Sequence, residues 1–239
     1  MTSRVEPTQG TDARMRLLDA AVDVIRAQGY SATTIDAICH RAGLTKGGFF
    51  HYFRNKEDCG VAAAAHFAAR AETLFKRAAF RNLEDPRGRV LGYVDFRKAI
   101  LQGDLPQFTC LLGTMVQEAY ETHPVIRAAC DRYIGEHAAF VGQDIAQAKA
   151  LYAPDAGWTP ESLALFTQSV IQGAFILAKA QHGAAVAADC LDHLRRYLEA
   201  LFASGATAGQ HLRRGDRSDE RTEDHALSPQ RHPMPLARG

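Results

Sequence analysis

Cysteine is scarce in this chain and poorly spaced for chemistry. Cys39, Cys59, Cys110, Cys130 and Cys190 are scattered through 239 residues without one C-x-x-C pair, which excludes zinc-ribbon and thioredoxin-like spacing. The odd count, with no signal-peptide pattern at the N-terminus, leads us to expect free thiols in a reducing cytoplasm. Long hydrophobic runs are missing too, so no bilayer span and no membrane partner is expected. Strand signals are almost absent. No Glu is followed three residues on by His: Glu72, Glu118, Glu136, Glu161 and Glu199 all fail that test. A carboxylate di-metal bundle therefore has no motif. There is neither a phosphate-cradling glycine loop nor a nucleophile elbow. We expect no enzyme, no cofactor and no metal site.

An excess of one charge is also lacking. The net charge is +1, so any attraction to nucleic acid must be local. It is local: from His40 to Lys56 the chain carries Arg41, Lys46, Arg54 and Lys56 and no Asp or Glu. Within that basic stretch stand two adjacent glycines, Gly47 and Gly48, and the run Phe49-Phe50-His51-Tyr52-Phe53.

What is present is helical periodicity throughout, with 46% hydrophobic residues to fill a core. Leu17, Ala21, Val24 and Ile25 share one face of a first helix, and Gly29 supplies its stop. Thr33-Thr34-Ile35-Asp36 reads as a threonine cap with an acid three residues on, opening a second helix that ends at Gly43. Thr45 caps a third short helix and Asn55 a fourth, running from Lys56 to about Phe80. Further helical patterns lie near 86–102, 107–120, 124–151, 160–182 and 185–203. The reading is all-α, with about nine helices. The reading divides the chain into a three-helix unit at 11–58, a larger helical unit at 59–203 and a polar disordered tail at 204–239.

The two short helices 34–41 and 45–53, joined by Ala42-Gly43-Leu44, fit a helix–turn–helix whose second helix enters the major groove. Phe49 and Phe53, one turn apart, point inward in this reading. Lys46 and Phe50 share another face and point outward, where an apolar ring suits a thymine methyl. Thr33, Thr34, Thr45, His51, Tyr52 and Lys56 are candidate phosphate or base contacts. Gly47 and Gly48 would let the backbone approach the duplex closely.

The segment TTIDAICHRAGLTKGGFFHYFRNKED resembles the DNA-binding segment of TetR-type bacterial transcriptional regulators. Their pattern is T-(T)-V-x-x-I-A-x-x-A-G-V-S-x-G-x-x-Y-x-Y-F-x-x-K-E, and the likeness covers roughly residues 14 to 60. It implies a phosphate contact at Thr34 and places Thr45 and Lys46 at the head of the recognition helix. Gly47, His51, Tyr52 and Lys56 match positions that commonly meet the DNA. The sequence departs from the pattern at Phe50, where Tyr is frequent, and at Gly48, where Thr or Ala is common.

The resemblance also implies a repressor that leaves a palindromic operator when a small molecule binds. It implies a homodimer through the last two ordered helices. Leu163, Phe166, Val170, Phe175, Leu191, Leu194, Leu198 and Leu201 could supply that face. Candidate pocket residues are Phe96, Phe108, Cys110, Met115, Tyr133, Phe140 and Lys179, with Tyr120 and Trp158 as further aromatic linings. Some such regulators carry a reactive cysteine at the start of the pocket helix. Cys110 stands there, and a nearby Lys179 ammonium would favour its thiolate. The alternative reading is thus a redox or electrophile sensor acting through Cys110 without a reversible ligand.

Overall fold

A computed structural model describes residues 9–212, with side chains from 12 to 203. The loose leader expected before residue 9 and the tail beyond 212 lie outside the described residues. Ten α-helices and one 3-10 turn are present, with no strand among the described residues.

The N-terminal unit is α1 (Gln9–Gln28), α2 (Ile35–Ala42), α3 (Lys46–Tyr52) and the first half of α4 (Lys56–Arg77). Each short helix starts on a side-chain cap. Thr34, Thr45 and Asn55 accept from the N–H groups of Ala37, Gly48 and Asp58 at 3.1, 3.2 and 2.8 Å. The cap of α2 is therefore Thr34, not Thr33, so Asp36 takes no part in a capping box there. On α4 the Asp58 carboxylate instead accepts the N–H of Arg54, the residue before the Asn55 cap, at 3.1 Å. That bond is the main reason its pKa lies below the ordinary carboxylate value.

Gly43 closes α2 with φ +64°, a left-handed residue. Its N–H reaches the Cys39 and His40 carbonyls. An added Cβ would stand 2.9 Å from the Arg16 guanidinium, which itself bonds the carbonyls of Ala42 and Gly43. Glycine answers both the backbone sign and the crowding.

The rest of the chain is α5 (Pro86–Ala99), α6 (Leu105–Phe108), α7 (Leu111–Ala119), α8 (Pro124–Tyr152), α9 (Pro160–Ala180) and α10 (Ala185–Leu212), with a 3-10 turn at Ala79–Asn82. The stretch expected as one helix at 107–120 is two, because Thr109 and Cys110 are both extended and stand between α6 and α7. The fourth helix ends at Arg77, and Phe80 falls in the 3-10 turn.

Two apolar clusters result. One joins α5, α8, α9 and α10 around Tyr93, Ile145, Ile171 and Leu198. The other joins Leu17, Ile25, Ile38 and Phe49 to Leu111, Met115 and Ile126. The helix–turn–helix core therefore extends into α7 and the start of α8.

Among the described residues, α9 alone is long and apolar enough by composition to cross a membrane. Its inner side, with Leu163, Ile171 and Phe175, is buried in the first cluster. Its outer side leaves Leu165, Phe166, Ile176 and Leu177 exposed. Of the residues expected to form a dimer face, Leu163, Phe175, Leu191, Leu194 and Leu198 are instead buried within the chain, because they fill the α8–α9–α10 core.

The 3-10 turn, α5 and α8 are pinned by one buried carboxylate. Asp144 is 4% exposed. It accepts from Arg89 at 2.7 Å and from Arg81, and Arg89 also holds the Leu83 and Glu84 carbonyls at 2.9 Å. Replacing Asp144 with Leu leaves two largely covered guanidiniums without their anion. We expect a loss of about 3–5 kcal/mol in urea unfolding.

Candidate functional site

The surface around α3 is built from short helices whose caps fix which side chains emerge. Phe49 and Phe53 are 0% and 3% exposed, and their rings meet at 5.4 Å. Phe50, between them, is 54% exposed and touches Phe49 edge-on. Thr34, Thr45, Lys46, Gly47 and His51 are exposed, with Gly48 and Tyr52 half-buried. Gly47 and Gly48 look onto open space: an added Cβ at either would meet only the Thr45 hydroxyl, at 3.7 and 3.6 Å.

Two expected contacts do not belong to this surface. Thr33 is 1% exposed and its hydroxyl donates to the Gly29 carbonyl at 2.6 Å, completing the turn after α1. The Lys56 ammonium turns inward, donating to the Tyr30 and Ser31 carbonyls at 3.1 and 3.4 Å and sitting 4.5 Å from the Tyr30 ring.

The cations that looked unpaired in sequence have partners from neighbouring elements. Lys46 meets Asp36 at 2.9 Å, Arg41 meets Asp23 at 2.7 Å, and Arg54 meets Asp58 at 3.5 Å. Lys46 and Asp36 are both well exposed, so their pairing is weak and a phosphate could displace it.

A cavity of about 470 Å³ opens between α4, α7, α8 and α9. Its walls are mostly apolar, with alanines of α4 making room opposite Phe67, Phe75, Tyr133 and Phe140. The polar lining is Cys110, Gln168, Gln172 and His137, with Glu72, Arg132 and Glu136. A smaller hollow of about 180 Å³ shares Cys110 and Gln172 with it and contains Lys179 and Glu118.

Of the expected pocket residues, Cys110, Tyr133 and Phe140 line the main cavity. Phe96 instead packs on Phe75 and Phe80, at 5.5 and 5.8 Å. Phe108 lies against Phe175, and Met115, 0% exposed, belongs to the N-terminal core. Tyr120 is 56% exposed, and Trp158 packs on Phe202. Lys179 lies in the smaller hollow and donates to the Thr114 hydroxyl at 2.7 Å, not to Cys110. Burial holds its pKa below the ordinary lysine value, while Glu118 and Cys110 pull the other way.

Residues 17–63 match the family described as bacterial regulatory proteins, tetR family. The chain carries a tetR-family DNA-binding domain. It is a DNA-binding transcriptional regulator of the helix–turn–helix kind. The transcriptional regulator AcuR of Cereibacter sphaeroides is 26% identical over 167 residues, covering 70% of this chain and 76% of that one. The fatty acid metabolism regulator protein of Bacillus subtilis is 43% identical over 44 residues, 18% of this chain and 23% of its own length. Among solved structures, a TetR transcriptional regulator from Chloroflexus aurantiacus has the same fold, with a TM-score of 0.71, 22% identity and coverage of 80% and 96%. Reduced NemR of E. coli superposes with a TM-score of 0.68 at 21% identity, covering 77% and 96%.

Several residues of this chain escaped the sequence reading. Glu118, on α7, accepts the Ser31 N–H at 2.7 Å in the turn before α2, and its carboxylate lies where Gly29 leaves room. His137 of α8 is bonded by Tyr93 and Arg97 of α5. Its spacing was informative: Tyr133, His137 and Phe140 fall on one helical face. Gln168 and Gln172, also one turn apart, are the only amides in the middle of an apolar α9.

Burial drives the His137 imidazole down to about 3, with Arg97 adding to it. A histidine kept neutral in the fold but free to protonate when unfolded contributes stability above about pH 6.5 that is lost as pH falls towards 3. His137→Gln should flatten that dependence in urea melts at pH 7, 6 and 5; an unchanged slope would remove His137 as its source.

Gly48→Thr should raise stability slightly, since glycine is a poor helix former, and should change base preference in a binding-site selection. Unchanged affinity and preference would mean that Gly48 does not face the groove.

Proposed function

We propose that this protein is a repressor that binds a palindromic operator as a homodimer in the cytoplasm and is released by a small molecule taken into the 470 Å³ cavity. The observation that carries this reading is the double membership of α7. Leu112 and Cys110 line the cavity, and Leu112 is also part of the apolar cluster that holds α1 and α3. A ligand pressing on that wall acts on a helix packed directly against the DNA-binding unit. Glu118, further along α7, holds the turn before α2 through Ser31. An effector that binds one setting of α7 more tightly shifts the population towards it, and with it the spacing of two recognition helices.

Thr34, Thr45, Lys46, Gly47, Gly48, Phe50, His51 and Tyr52 are the DNA contacts in this reading. The homodimer forms through the outer side of α9 with α10, where Phe166, Val170, Gly173 and Leu177 follow helical spacing and Tyr197 packs on Phe166 at 5.1 Å. A helix apolar on all sides calls for cover on all sides, and a second copy supplies it.

Selection of bound duplexes from a random pool, followed by gel-shift against candidate effectors, tests the whole reading. Recovery of a two-fold symmetric site is expected; recovery of no preferred sequence would end it. Phe166→Glu with Leu177→Glu should give a monomer in sedimentation velocity and weaken operator binding by at least tenfold. A double variant that stays dimeric would move the interface elsewhere.

The second reading is a sensor acting through Cys110 without a reversible ligand. Cys110 Sγ stands at the head of α7, accepts the Gly113 N–H at 3.5 Å, and opens onto both hollows. If Cys110→Ser abolishes oxidant-driven release from DNA while small-molecule release is lacking, this second reading takes over.

A further inference from the structure

The cavity's deep polar side is arranged so that one atom's role is settled by its neighbours. Arg97 donates to His137 Nε2 at 2.9 Å, and a guanidinium has no acceptor to offer. Nε2 must therefore be the bare nitrogen of the ring. Tyr93 agrees: its oxygen takes Arg97 Nε and Gln168 Nε2, both at 3.0 Å, so its own hydrogen goes to His137 Nε2, also at 3.0 Å. In a neutral imidazole the hydrogen then sits on Nδ1, which has no protein partner among the described residues. His137 lines the cavity, and its ring is packed by Phe75 and Phe140 at 4.8 and 6.1 Å. It stands there as a fixed hydrogen-bond donor.

Charge in the walls is already matched. Arg132 and Glu136 meet at 2.9 Å, and Glu72 holds Lys76 at 2.6 Å. Arg97 is spent on Tyr93 and His137, and Lys179 lies in the neighbouring hollow on Thr114. Arg97 and Lys179 bond neutral partners but lie outside the cavity's lining, so an anion entering it would lose its water and meet only Arg132, already paired with Glu136. An uncharged molecule with an acceptor would lose little and meet the His137 donor, with the Gln172 amide and Tyr133 hydroxyl also in the lining.

Resting on the effector reading above, we infer that the cavity takes a small, mostly apolar, uncharged molecule bearing a carbonyl-type acceptor. Its oxygen accepts from His137 Nδ1–H, and Arg97 and Tyr93 act as positioning residues that hold the ring in that tautomer. The remaining surface of the ligand lies between the alanines of α4 and the rings of Phe67, Tyr133 and Phe140.

Three probes of similar size separate the possibilities by calorimetry on the full chain at pH 7.5. Acetophenone carries the acceptor, ethylbenzene lacks it, and benzoate carries a charge. Acetophenone should bind about fivefold tighter than ethylbenzene, the worth of one net hydrogen bond, and about tenfold or more tighter than benzoate, given the desolvation of an unpaired anion. His137→Phe should keep ethylbenzene binding and erase the acetophenone preference. Independently of any variant, nitrogen NMR of histidine-labelled wild type should show Nδ1 protonated and Nε2 bare, and Arg97→Met should weaken that bias. Benzoate or ethylbenzene binding as tightly as acetophenone, no binding by any of the three, or the opposite tautomer would each overturn the assignment. The expected ranking with operator complexes left intact would count against the effector reading alone, and this assignment would stand.

Discussion

Leu111, Leu112 and Met115 of α7 are buried in the same apolar cluster as Leu17, Ile25 and Phe49, and the arrangement of the two halves depends on that shared packing. A nine-residue helix has little stability of its own in water. It persists because α1 and α4 cover one side and α8 another. The cavity wall and the floor of the helix–turn–helix are consequently one object, and the cavity cannot change shape at Leu112 without disturbing what lies behind it. Interiors packed to this density transmit small displacements and do not absorb them.

The electrostatics of the recognition surface follow a second economy. The sequence shows a basic run without acids, yet in space Asp23, Asp36 and Asp58 come to Arg41, Lys46 and Arg54 from neighbouring turns and helices. Such exposed pairs hold the side chains near their working positions at little energetic gain. In the proposed operator complex phosphates would replace these acids, and the salt dependence of binding would register that exchange.

Much of the fold was legible because it is written in local signals. Thr45, Asn55 and Gly43 announce their caps and turn by residue type, and the inward placement of Phe49 and Phe53 follows from their one-turn spacing. The site was legible in part. Thr33 and Thr34 are chemically alike, and only the backbone path decides which one caps α2 and which is buried on Gly29. Met115, Phe96 and Phe108 have the right character for a cavity wall, but apolar residues at helical spacing look the same whether they face a hollow or a core. Lys179 was paired in expectation with Cys110; the fold gives it Thr114, since that choice depends on how α7 and α9 cross. Glu118 carried no sequence signal at all, because its partner is a backbone N–H far along the chain.

The two extended residues Thr109 and Cys110 give α7 an unusual beginning. Helices α2, α3 and α4 start on oxygen caps, whereas α7 starts on sulfur, a weaker acceptor at a longer distance. Its first turn is thus tied less firmly than those of α4 and α9, while α8 starts on His123 with no side-chain cap bond. A guest that presses on Cys110 works against a sulfur cap, where the same push at the head of α4 or α9 would meet an oxygen.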